Sequence, residues 1–523
     1  MAEPLSPGIW FVGLATSLLV GSWVVFKVLA YASRWWTRRR YGVAASATVV
    51  GFFHPFCAGG GGGERVLWRA VRAVAELSKD LEHPLHVLIY TGDVGIPPED
   101  ILSGVSRQFD ISIEPAALPV SFVYVRGRPL LDAGLYPAFT MLAQSAASMV
   151  LAAEALLRAT PDVFVDTTGF AFAFPIAWFA GCGVGAYVHY PTISTDMLSR
   201  VRDQRPSHNN SSWISSSVAV SRVKLLYYRV FAALYGGVGG FASTVMVNSS
   251  WTKGHVAALW KLSSPTIVYP PCDTSELEGL PIDDSGRERC ALSVGQFRPE
   301  KDHALQIRAL AALRNLPTSI DDPSFDDVRL IILGSCRNDD DREVLARTRA
   351  LAVELGVEER VEFVVNCSFD ELKAWLGRAS VGLHTMWNEH FGIGVVEMMA
   401  AGMVTIAHRS GGPEADIVVP LSDGRRTGFL AETPEEYAAA MARVFQRGGA
   451  ARVASDGIRD VGGVSGRVSR EELDSLAIRV AGRESARRFS NEVFDSRFAA
   501  EFAALLWPFQ VSGRARRGRR KDE

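Results

Sequence analysis

Two glutamates lie eight positions apart in residues 386–402, which read MWNEHFGIGVVEMMAAG. Between Glu389 and Glu397, Gly392 and Gly394 allow the backbone to come close to a ligand. A helix that begins near Gly392 places Glu389 on the preceding loop and Glu397 in its second turn. The free N–H groups at a helix start favour anions, so the stretch predicts a ligand with phosphates and hydroxyls, such as a nucleotide sugar. A buried helix that happens to carry two glutamates is the alternative.

A second group of candidate residues follows the predicted strand 291–294. The next loop, 295–302 (GQFRPEKD), carries Arg298 and Lys301 and leads into a helix. This pair suits a diphosphate, because arginine offers a fork of donors and lysine a mobile point charge. A solvated basic turn would have the same composition.

Five consecutive glycines, residues 59–63, separate an apolar run at 47–53 (ATVVGFF) from a helical pattern at 64–77. Strand, glycine loop and helix open a doubly wound domain, and such a loop brings backbone N–H groups to a ligand at the strand ends. A merely flexible loop is the alternative. The candidate ligand-facing residues are Gly60, Gly61 and Gly62.

Residues 163–191 are apolar enough to suggest a membrane span, but they contain Asp166 and Pro175. A central aspartate costs about 2.5–3.5 kcal/mol on insertion. We therefore interpret the segment as a buried strand, helix and strand that ends at His189. This histidine would lie at the C-terminal edge of a parallel sheet, where ligands of α/β proteins bind. A satisfied surface or core histidine is equally compatible with the sequence.

The chain alternates predicted strands and helices, which indicates an α/β class with parallel sheets. Further helices are predicted at 138–158 and 220–234, and loops at 200–217 and 448–469. The other predicted strands are 86–90, 163–166, 244–247, 266–269, 328–333, 361–365, 381–384 and 405–407.

A length of 523 residues predicts two or three domains, with a boundary at the double proline 270–271. We expect an N-terminal domain at 43–269 and a C-terminal domain at 274–480. A helix at 486–507 would pack back towards the first domain, and a basic tail covers 512–523.

Residues 9–26 carry no charge and Arg38, Arg39 and Arg40 follow, so a transmembrane anchor at 9–32 is predicted. The positive-inside rule then leaves the body of the chain cytosolic. A cleaved signal peptide is the alternative, but its usual positive leader is missing from residues 1–8. Whether 163–191 or 220–234 also contacts the membrane stays open.

Composition excludes some partners. The net charge of −2 gives no electrostatic case for nucleic acid. The six cysteines are scattered without a C-x-x-C pair or a zinc spacing, which fits a reducing compartment.

Three of these motifs together resemble the retaining glycosyltransferases of family four. They are residues 296–301 (QFRPEK), the pair Glu389 and Glu397 with seven residues between them, and residues 410–413 (SGGP). The resemblance implies the GT-B fold, in which two Rossmann-like doubly wound domains face a cleft, here with an N-terminal transmembrane helix.

Within that family, four blocks and the N-terminal anchor resemble the GDP-mannose-dependent α-1,2-mannosyltransferases of dolichol-linked oligosaccharide assembly. The blocks are 51–63 (GFFHPFCAGGGGG), 64–68 (ERVLW), 189–192 (HYPT) and 334–337 (GSCR). This implies retaining transfer of mannose to Man3GlcNAc2-PP-dolichol and then Man4GlcNAc2-PP-dolichol on the cytosolic face of the endoplasmic reticulum. Implied partners are GDP-mannose, the lipid-linked oligosaccharide, that membrane and other mannosyltransferases of the cytosolic face.

The resemblance also implies roles for the candidate residues. Arg298 and Lys301 would hold the diphosphate, Glu397 the ribose hydroxyls and Glu389 the donor mannose, while His189 would lie near the transferred sugar. Donor contacts from the backbone are expected at two further places. They are Phe391, Gly392, Ile393 and Gly394 for the sugar and phosphates, and residues 366–368, which include Cys367, for the base.

One departure concerns Arg298, because many family members place this arginine directly after the first glycine of the loop, where Gln296 stands here. No cofactor or metal is expected, since no Asp-x-Asp motif stands at a suitable strand end.

Three other functions share part of this pattern. They are a membrane-associated glycosyltransferase with another linkage or acceptor, a sugar-nucleotide epimerase, and a non-catalytic membrane-tethered scaffold. The five-glycine block argues against the first and the anchor against the second. The intact set of Lys301, Glu389 and Glu397 argues against the third.

Overall fold

The computed structural model describes residues 7–114, 118–194, 197, 218–283, 286–316, 325–445 and 475–518. The loops predicted at 200–217 and 448–469 lie outside these residues. The chain forms two compact units, each with its own parallel sheet, so the α/β prediction is confirmed. Unit 1 comprises Met1–Asn248, Thr252–Val268 and Asp495–Glu523, and unit 2 comprises Ser249–Trp251 and Tyr269–Phe494.

The sheet of unit 1 has seven parallel strands in the order β3-β2-β1-β4-β5-β6-β7. Its central strand β1 is buried at every position, which explains why the sequence TVVGFF is apolar throughout. The strands are β1 (Thr48–Phe53), β2 (Leu85–Thr91), β3 (Val120–Tyr124), β4 (Val163–Asp166), β5 (Gly183–Val188), β6 (Thr244–Val247) and β7 (Thr266–Ile267).

Helices connect these strands and cover both faces of the sheet. The segment 163–191 forms β4, a helix and β5 inside the core, as predicted. The helices are α1 (Pro7–Arg40), α2 (Gly62–Ser78), α3 (Pro98–Phe109), α4 (Thr140–Arg158), α5 (Ala173–Phe179), α6 (Val218–Gly239) and α7 (Ser250–Leu259).

Helix α1 is continuous over 34 residues, or about 50 Å, which is more than a bilayer core requires. Its C-terminal part packs on α4, where the Ser33 hydroxyl donates to the Leu156 carbonyl over 2.9 Å. By length and hydropathy, α4 is the described helix that could cross a membrane, and 39% of its apolar window is buried. A core helix passes the same test, so the anchor at 9–32 stays a prediction.

The sheet of unit 2 has six parallel strands in the order β10-β9-β8-β11-β12-β13. Its strands are β8 (Glu288–Val294), β9 (Arg329–Gly334), β10 (Val361–Val365), β11 (Ala379–His384), β12 (Val404–His408) and β13 (Phe429–Ala431). Its helices are α8 (Thr274–Leu277), α9 (His303–Arg314), α10 (Asp339–Glu354), α11 (Phe369–Arg378), α12 (Ile393–Ala400), α13 (Pro434–Phe445) and α14 (Ser475–Ala486).

The C-terminal helix differs from its prediction. The chain ends α14 at Ala486, makes a short 3-10 turn, and starts α15 (Asn491–Gly518) only after Ser490. The helix therefore begins five residues later than the predicted 486 and runs into the basic tail. From Asp495 onward it belongs to unit 1, where Asp495 accepts two hydrogen bonds of 2.7 Å from Arg69.

Candidate active site

An ion pair lies at the C-terminal edge of the sheet of unit 2. Lys301 Nζ donates to Glu389 Oε2 over 2.8 Å, and His384 Nε2 lies 3.2 Å from the same oxygen. Lys301 closes the turn after β8, His384 is the last residue of β11, and Glu389 stands on the loop that follows. Parallel strands that end at one edge thus bring together groups far apart in the sequence.

The Glu389 carboxyl is only 16% exposed. Burial alone would raise its pKa, but the Lys301 ammonium and the hydrogen bond from His384 outweigh it, and the pKa lies well below the ordinary value. The group is therefore a fixed negative charge at any physiological pH. Such a carboxylate accepts hydrogen bonds from sugar hydroxyls, while the adjacent ammonium binds phosphate oxygens.

The glycine loop at 410–412 holds the Glu389 loop in place. Gly412 N donates to the Glu389 carbonyl over 2.8 Å, and Asn388 N donates to Ser410 Oγ over 2.7 Å. A Cβ atom on Gly411 would lie 2.2 Å from the Glu389 carbonyl oxygen. Gly411 also has a φ of +63°, so the two loops can meet this closely only with glycine there.

Helix α12 begins directly after the Glu389 loop. Gly392 forms its N-cap with a φ of +111°, which requires glycine. On the helix, only Ile393, Gly394 and Glu397 are partly accessible, and they share one face. The Val395 N–H donates to the Gly392 carbonyl over 3.0 Å, whereas the N–H groups of Ile393 and Gly394 come before the first acceptor of the helix, so this face offers both donors and a carboxylate.

The ring of Phe391 belongs to the core, and the backbone contact with the donor that is expected of this residue stays a prediction. Its side chain is 2% exposed and packs against the rings of Tyr269 and Phe489, with centroids 5.7 and 5.3 Å away. The core therefore takes the aromatic ring, and only the backbone of Phe391 could meet a ligand.

The structure does not bring the charged ends of Arg298 and Lys301 to one carboxylate. The Arg298 guanidinium lies 4.0 Å from Glu300 and 4.0 Å from Asp341 at the start of α10. Acidic residues favoured at a helix start also attract a nearby arginine. The role of Arg298 and Lys301 as two cations at one diphosphate stays a prediction.

The loop after β10 carries residues 366–368, for which the base contact is predicted. Asn366 has a φ of +55°, and its Oδ1 accepts from the Cys336 amide over 3.0 Å. Ser368 caps α11 through a 3.2 Å hydrogen bond from Glu371 N. Burial raises the pKa of the Cys367 thiol, with a smaller contribution from Glu371, so this side chain is neutral. Backbone recognition of the base by this loop stays a prediction.

In unit 1, the five-glycine loop is shaped by side chains around it. Gly61 caps α2, and its N–H donates to Glu64 Oε2 over 2.8 Å, so it is not directed at a ligand. A Cβ on Gly60 would lie 1.9 Å from Gln108 Nε2. Gly62 is exposed at the start of α2. Among the three predicted glycines, Gly62 is the most exposed, and Gly60 and Gly61 are partly accessible.

His189 directly follows β5, as predicted. Its Nε2 lies 3.1 Å from the Thr167 carbonyl oxygen. A carbonyl only accepts hydrogen bonds, so Nε2 carries the proton and Nδ1 carries the lone pair in the neutral ring. The ring also lines a pocket of about 410 Å³ with Thr168, Phe170 and Tyr190. A hydroxyl-bearing ligand could enter this pocket.

Two histidines were missed by the sequence reading, His384 beside Glu389 and His54 beside Thr167. Each stands at or just after the end of a buried strand, which is the signal that singled out His189. Within the described residues, no group of three or more His, Cys, Asp or Glu side chains could hold a metal ion.

The fold and the Lys301–Glu389 pair define a class, the glycosyltransferases with the GT-B fold. Residues 282–459 match the family model "Glycosyl transferases group 1". The sucrose-phosphate synthase of Thermosynechococcus elongatus has a TM-score of 0.56 at 16% identity, and covers 88% of this chain and 100% of its own. Anabaena HepE with UDP and glucose has a TM-score of 0.54 at 14% identity, covering 87% and 99%. At these identities the likeness shows the fold alone.

Relatives with similar sequences show which family of GT-B glycosyltransferases the chain belongs to. Residues 47–260 match "ALG11 mannosyltransferase N-terminus". Proteins named GDP-Man:Man(3)GlcNAc(2)-PP-Dol alpha-1,2-mannosyltransferase are similar over most of the chain. The mouse protein is 45% identical, covering 96% of this chain and 95% of its own, and the human protein is 46% identical, covering 88% and 87%. The chain belongs to this family of mannosyltransferases.

Proposed function

We propose that this chain transfers mannose from GDP-mannose, in α-1,2 linkage and with retention, to Man3GlcNAc2-PP-dolichol and then to Man4GlcNAc2-PP-dolichol. The observation that carries the proposal is the Lys301–Glu389 pair beside the first turn of α12. It occurs in a chain 45% identical to the mouse mannosyltransferase.

On the donor side, the Lys301 ammonium binds the diphosphate, and Glu389 accepts hydrogen bonds from the mannose hydroxyls. Glu397 is on the accessible face of α12 and accepts from the ribose hydroxyls. The amides of Ile393 and Gly394 face the sugar and phosphates, where the helix start favours negative charge. Guanine is held by backbone groups near Cys367.

Arg298 adds a second cation to the diphosphate once donor is bound. Its contacts with Glu300 and Asp341 are both 4.0 Å, longer than hydrogen bonds, and its side chain is 43% exposed. The pair with Glu300 is exposed on both sides and contributes little stability. The Asp341 side chain is only 5% exposed, but it also accepts a hydrogen bond of 2.9 Å from Arg337 N. Turning the guanidinium towards a phosphate therefore gives up only these two long contacts.

The chemical step releases GDP, whose growing negative charge is stabilised by Lys301, Arg298 and the N–H groups of α12. His189, from unit 1, accepts a hydrogen bond from a sugar hydroxyl at Nδ1. No metal or other cofactor enters this proposal.

We place the protein in the endoplasmic reticulum membrane. Helix α1 spans the bilayer, and Arg38, Arg39 and Arg40 at its C-terminal end keep the body cytosolic. Association with other mannosyltransferases of the cytosolic face, and the absence of a nucleic-acid partner, remain predictions.

The test uses the purified full-length chain with GDP-[14C]mannose and a synthetic lipid-linked trimannosyl acceptor. We expect labelled products one and two mannoses longer, and an α-1,2-mannosidase should release the label. The matched control is Lys301→Met, which should leave the acceptor unlabelled. Label that resists the mannosidase would indicate another linkage. No label, with an acceptor that the mouse protein elongates, would contradict the proposal and favour a scaffold.

A further inference from the structure

A buried chain of polar contacts in unit 1 connects the glycine loop to His189. Glu64 Oε1 lies 3.8 Å from His54 Nε2, and His54 Nδ1 lies 2.8 Å from Thr167 Oγ1. The carbonyl of the same threonine is 3.1 Å from His189 Nε2. His54 and Thr167 are buried, at 2% and 0% exposure, so water does not compete for these contacts. Glu64 is in the first turn of α2. The other three residues, His54, Thr167 and His189, directly follow β1, β4 and β5.

The protons in this chain follow from the partners. Burial raises the pKa of the Glu64 carboxyl, but the nearby His54 ring and the Gly61 amide outweigh it and lower the pKa, so Glu64 is ionised. In the neutral His54 ring, this carboxylate favours the proton at Nε2. The lone pair is then on His54 Nδ1, and the Thr167 hydroxyl donates to it. Thr167 thus contacts both histidines. Its hydroxyl is oriented by the hydrogen bond to His54, and its carbonyl accepts the hydrogen bond from His189.

The glycine loop contacts this chain of residues in two ways, by the closeness of Gly63 to the two histidine rings and by a hydrogen bond to Glu64. A Cβ on Gly63 would lie 3.8 Å from His189 Nε2 and 4.0 Å from His54 Cε1, so a larger side chain would enter between the two rings. Glu64 also accepts from the Gly61 amide over 2.8 Å. The loop conformation and the His54 ring are thus held by one carboxylate.

We propose that His54 and Glu64 are positioning residues that act on His189 through Thr167. They keep the Thr167 carbonyl where it fixes the proton on His189 Nε2, so that the lone pair of the neutral ring is on Nδ1. This inference rests on the proposed function for its kinetic consequences. The protonation of His189 itself can be measured without turnover.

The kinetic test compares full-length variants in the mannose transfer assay. His54→Phe should lower kcat about ten- to a hundredfold and leave the KM for GDP-mannose unchanged, because misplacement affects the reacting geometry and not donor binding. Thr167→Val should lower kcat to a similar extent and also leave the KM for GDP-mannose unchanged. His54→Asn keeps a polar atom near the Nδ1 position and should restore most of the rate, whereas His54→Gln, which reaches only towards Glu64, should not.

His86→Phe is the matched control. His86 is also a buried histidine of unit 1 with a hydroxyl partner, Ser121 Oγ at 3.0 Å from Nε2, but it stands near the N-terminal end of β2, at the opposite edge of the sheet from His54 and His189. It should keep the wild-type kcat even if its melting temperature falls as far as that of His54→Phe. Equal kcat losses in the two variants would show that His54 is merely structural.

Two further measurements decide the mechanism. In a His189→Ala background, His54→Phe should cause no further loss of kcat, and a full additive loss would overturn the proposal. Nitrogen NMR of labelled histidine should show His189 protonated at Nε2 in the wild type and mixed in His54→Phe. An unchanged His189 signal would contradict the positioning role. If the wild type transfers no mannose, the proposed function fails, while the NMR result still tests the positioning.

Discussion

Asp166 in unit 1 and Glu389 in unit 2 are both deeply set carboxyl groups near the C-terminal edge of a parallel sheet, yet their pKa values move in opposite directions. Burial raises the pKa of Asp166 to about 6, against three hydrogen bonds from Thr168 and Gly169. The pKa of Glu389 is lowered despite burial, because Lys301 and His384 contact it. Neutral donors do not offset the desolvation of a carboxylate, whereas a paired ammonium does.

The difference matches what each unit is proposed to bind. The ligand proposed for unit 2 is a charged diphosphate, and the Lys301–Glu389 pair is an ion pair whose ammonium can also bind a phosphate. The ligand proposed for unit 1 is the uncharged sugar part of the acceptor, and the polar groups there are histidines and threonines in hydrogen-bond contact. Five changes can break or sharpen this contrast.

The largest effect is expected from Lys301→Met. It leaves the Glu389 carboxylate buried without its main cation, a situation that costs about 3–5 kcal/mol, and it also removes the phosphate contact. We expect kcat/KM for GDP-mannose to fall by about a hundred- to a thousandfold or more. The double variant with Glu389→Gln should recover the melting temperature and remain inactive. A single variant with normal activity would show that the ion pair is not used in unit 2.

Asp166→Asn probes the other carboxyl group. Because the folded pKa is raised, the wild-type group contributes stability that is present below its ordinary value of 3.8 and lost as the pH rises through about 6. The free energy of unfolding of the wild type relative to Asp166→Asn should therefore fall by about 3 kcal/mol between pH 3.5 and pH 7. Denaturant unfolding at several pH values measures this difference.

Glu389→Gln, in the same unfolding experiment, should show the opposite dependence of stability on pH. The lowered pKa of the wild-type Glu389 carboxyl means that the group contributes stability above its ordinary value of 4.5, and this stability is lost as the pH falls below 4.5 towards the folded pKa. The two differences should thus slope in opposite directions with pH. Parallel slopes would mean that the contrast between the two carboxyl groups is wrong.

His189→Ala should slow turnover by about a hundredfold, through loss of the hydrogen-bonding imidazole, and leave the affinity for GDP nearly unchanged. Single-turnover rates and calorimetry with GDP separate the two quantities. A large loss of GDP affinity would place His189 in donor binding rather than beside the transferred sugar.

Glu397→Ala should show the converse behaviour and the smallest effect. Loss of a charged hydrogen bond to ribose costs about 1.5–3 kcal/mol, or roughly ten- to a hundredfold in GDP affinity. Glu397→Gln, which keeps an acceptor, should lose less. Normal GDP affinity of Glu397→Ala in calorimetry would exclude the ribose contact.

Much of the fold followed from the sequence, because buried parallel strands are continuous apolar runs. β4, β6 and β10 have the predicted bounds, and most other predicted strands shift by one to three residues. Strands β3 and β13 were missed. Both lie at a sheet edge, where β3 is mostly half-buried and β13 has three residues, so neither gives a strong apolar signal.

The candidate site was predictable in its types but not in its pairings. Lys301 and Glu389 were each identified by their loops, yet their direct contact depends on the order of β8 and β11 in the sheet. The position of the Arg298 guanidinium, 4.0 Å from Asp341, and the burial of the Phe391 ring depend on side-chain directions. The spacing of residues in the sequence does not determine these directions. His54 was passed over because its partner Thr167 is 113 residues away.

The last residues of the chain complete unit 1, which has a consequence for biosynthesis. Phe502 stacks on Phe52 of β1, and a Cβ on Gly185 of β5 would lie 2.6 Å from Leu505. The ribosome must therefore synthesise unit 2 before the sheet of unit 1 can pack against α15. A premature stop near residue 495 would destabilise unit 1, although most of unit 1 is synthesised first. During synthesis of unit 2, this part of the nascent sheet stays exposed.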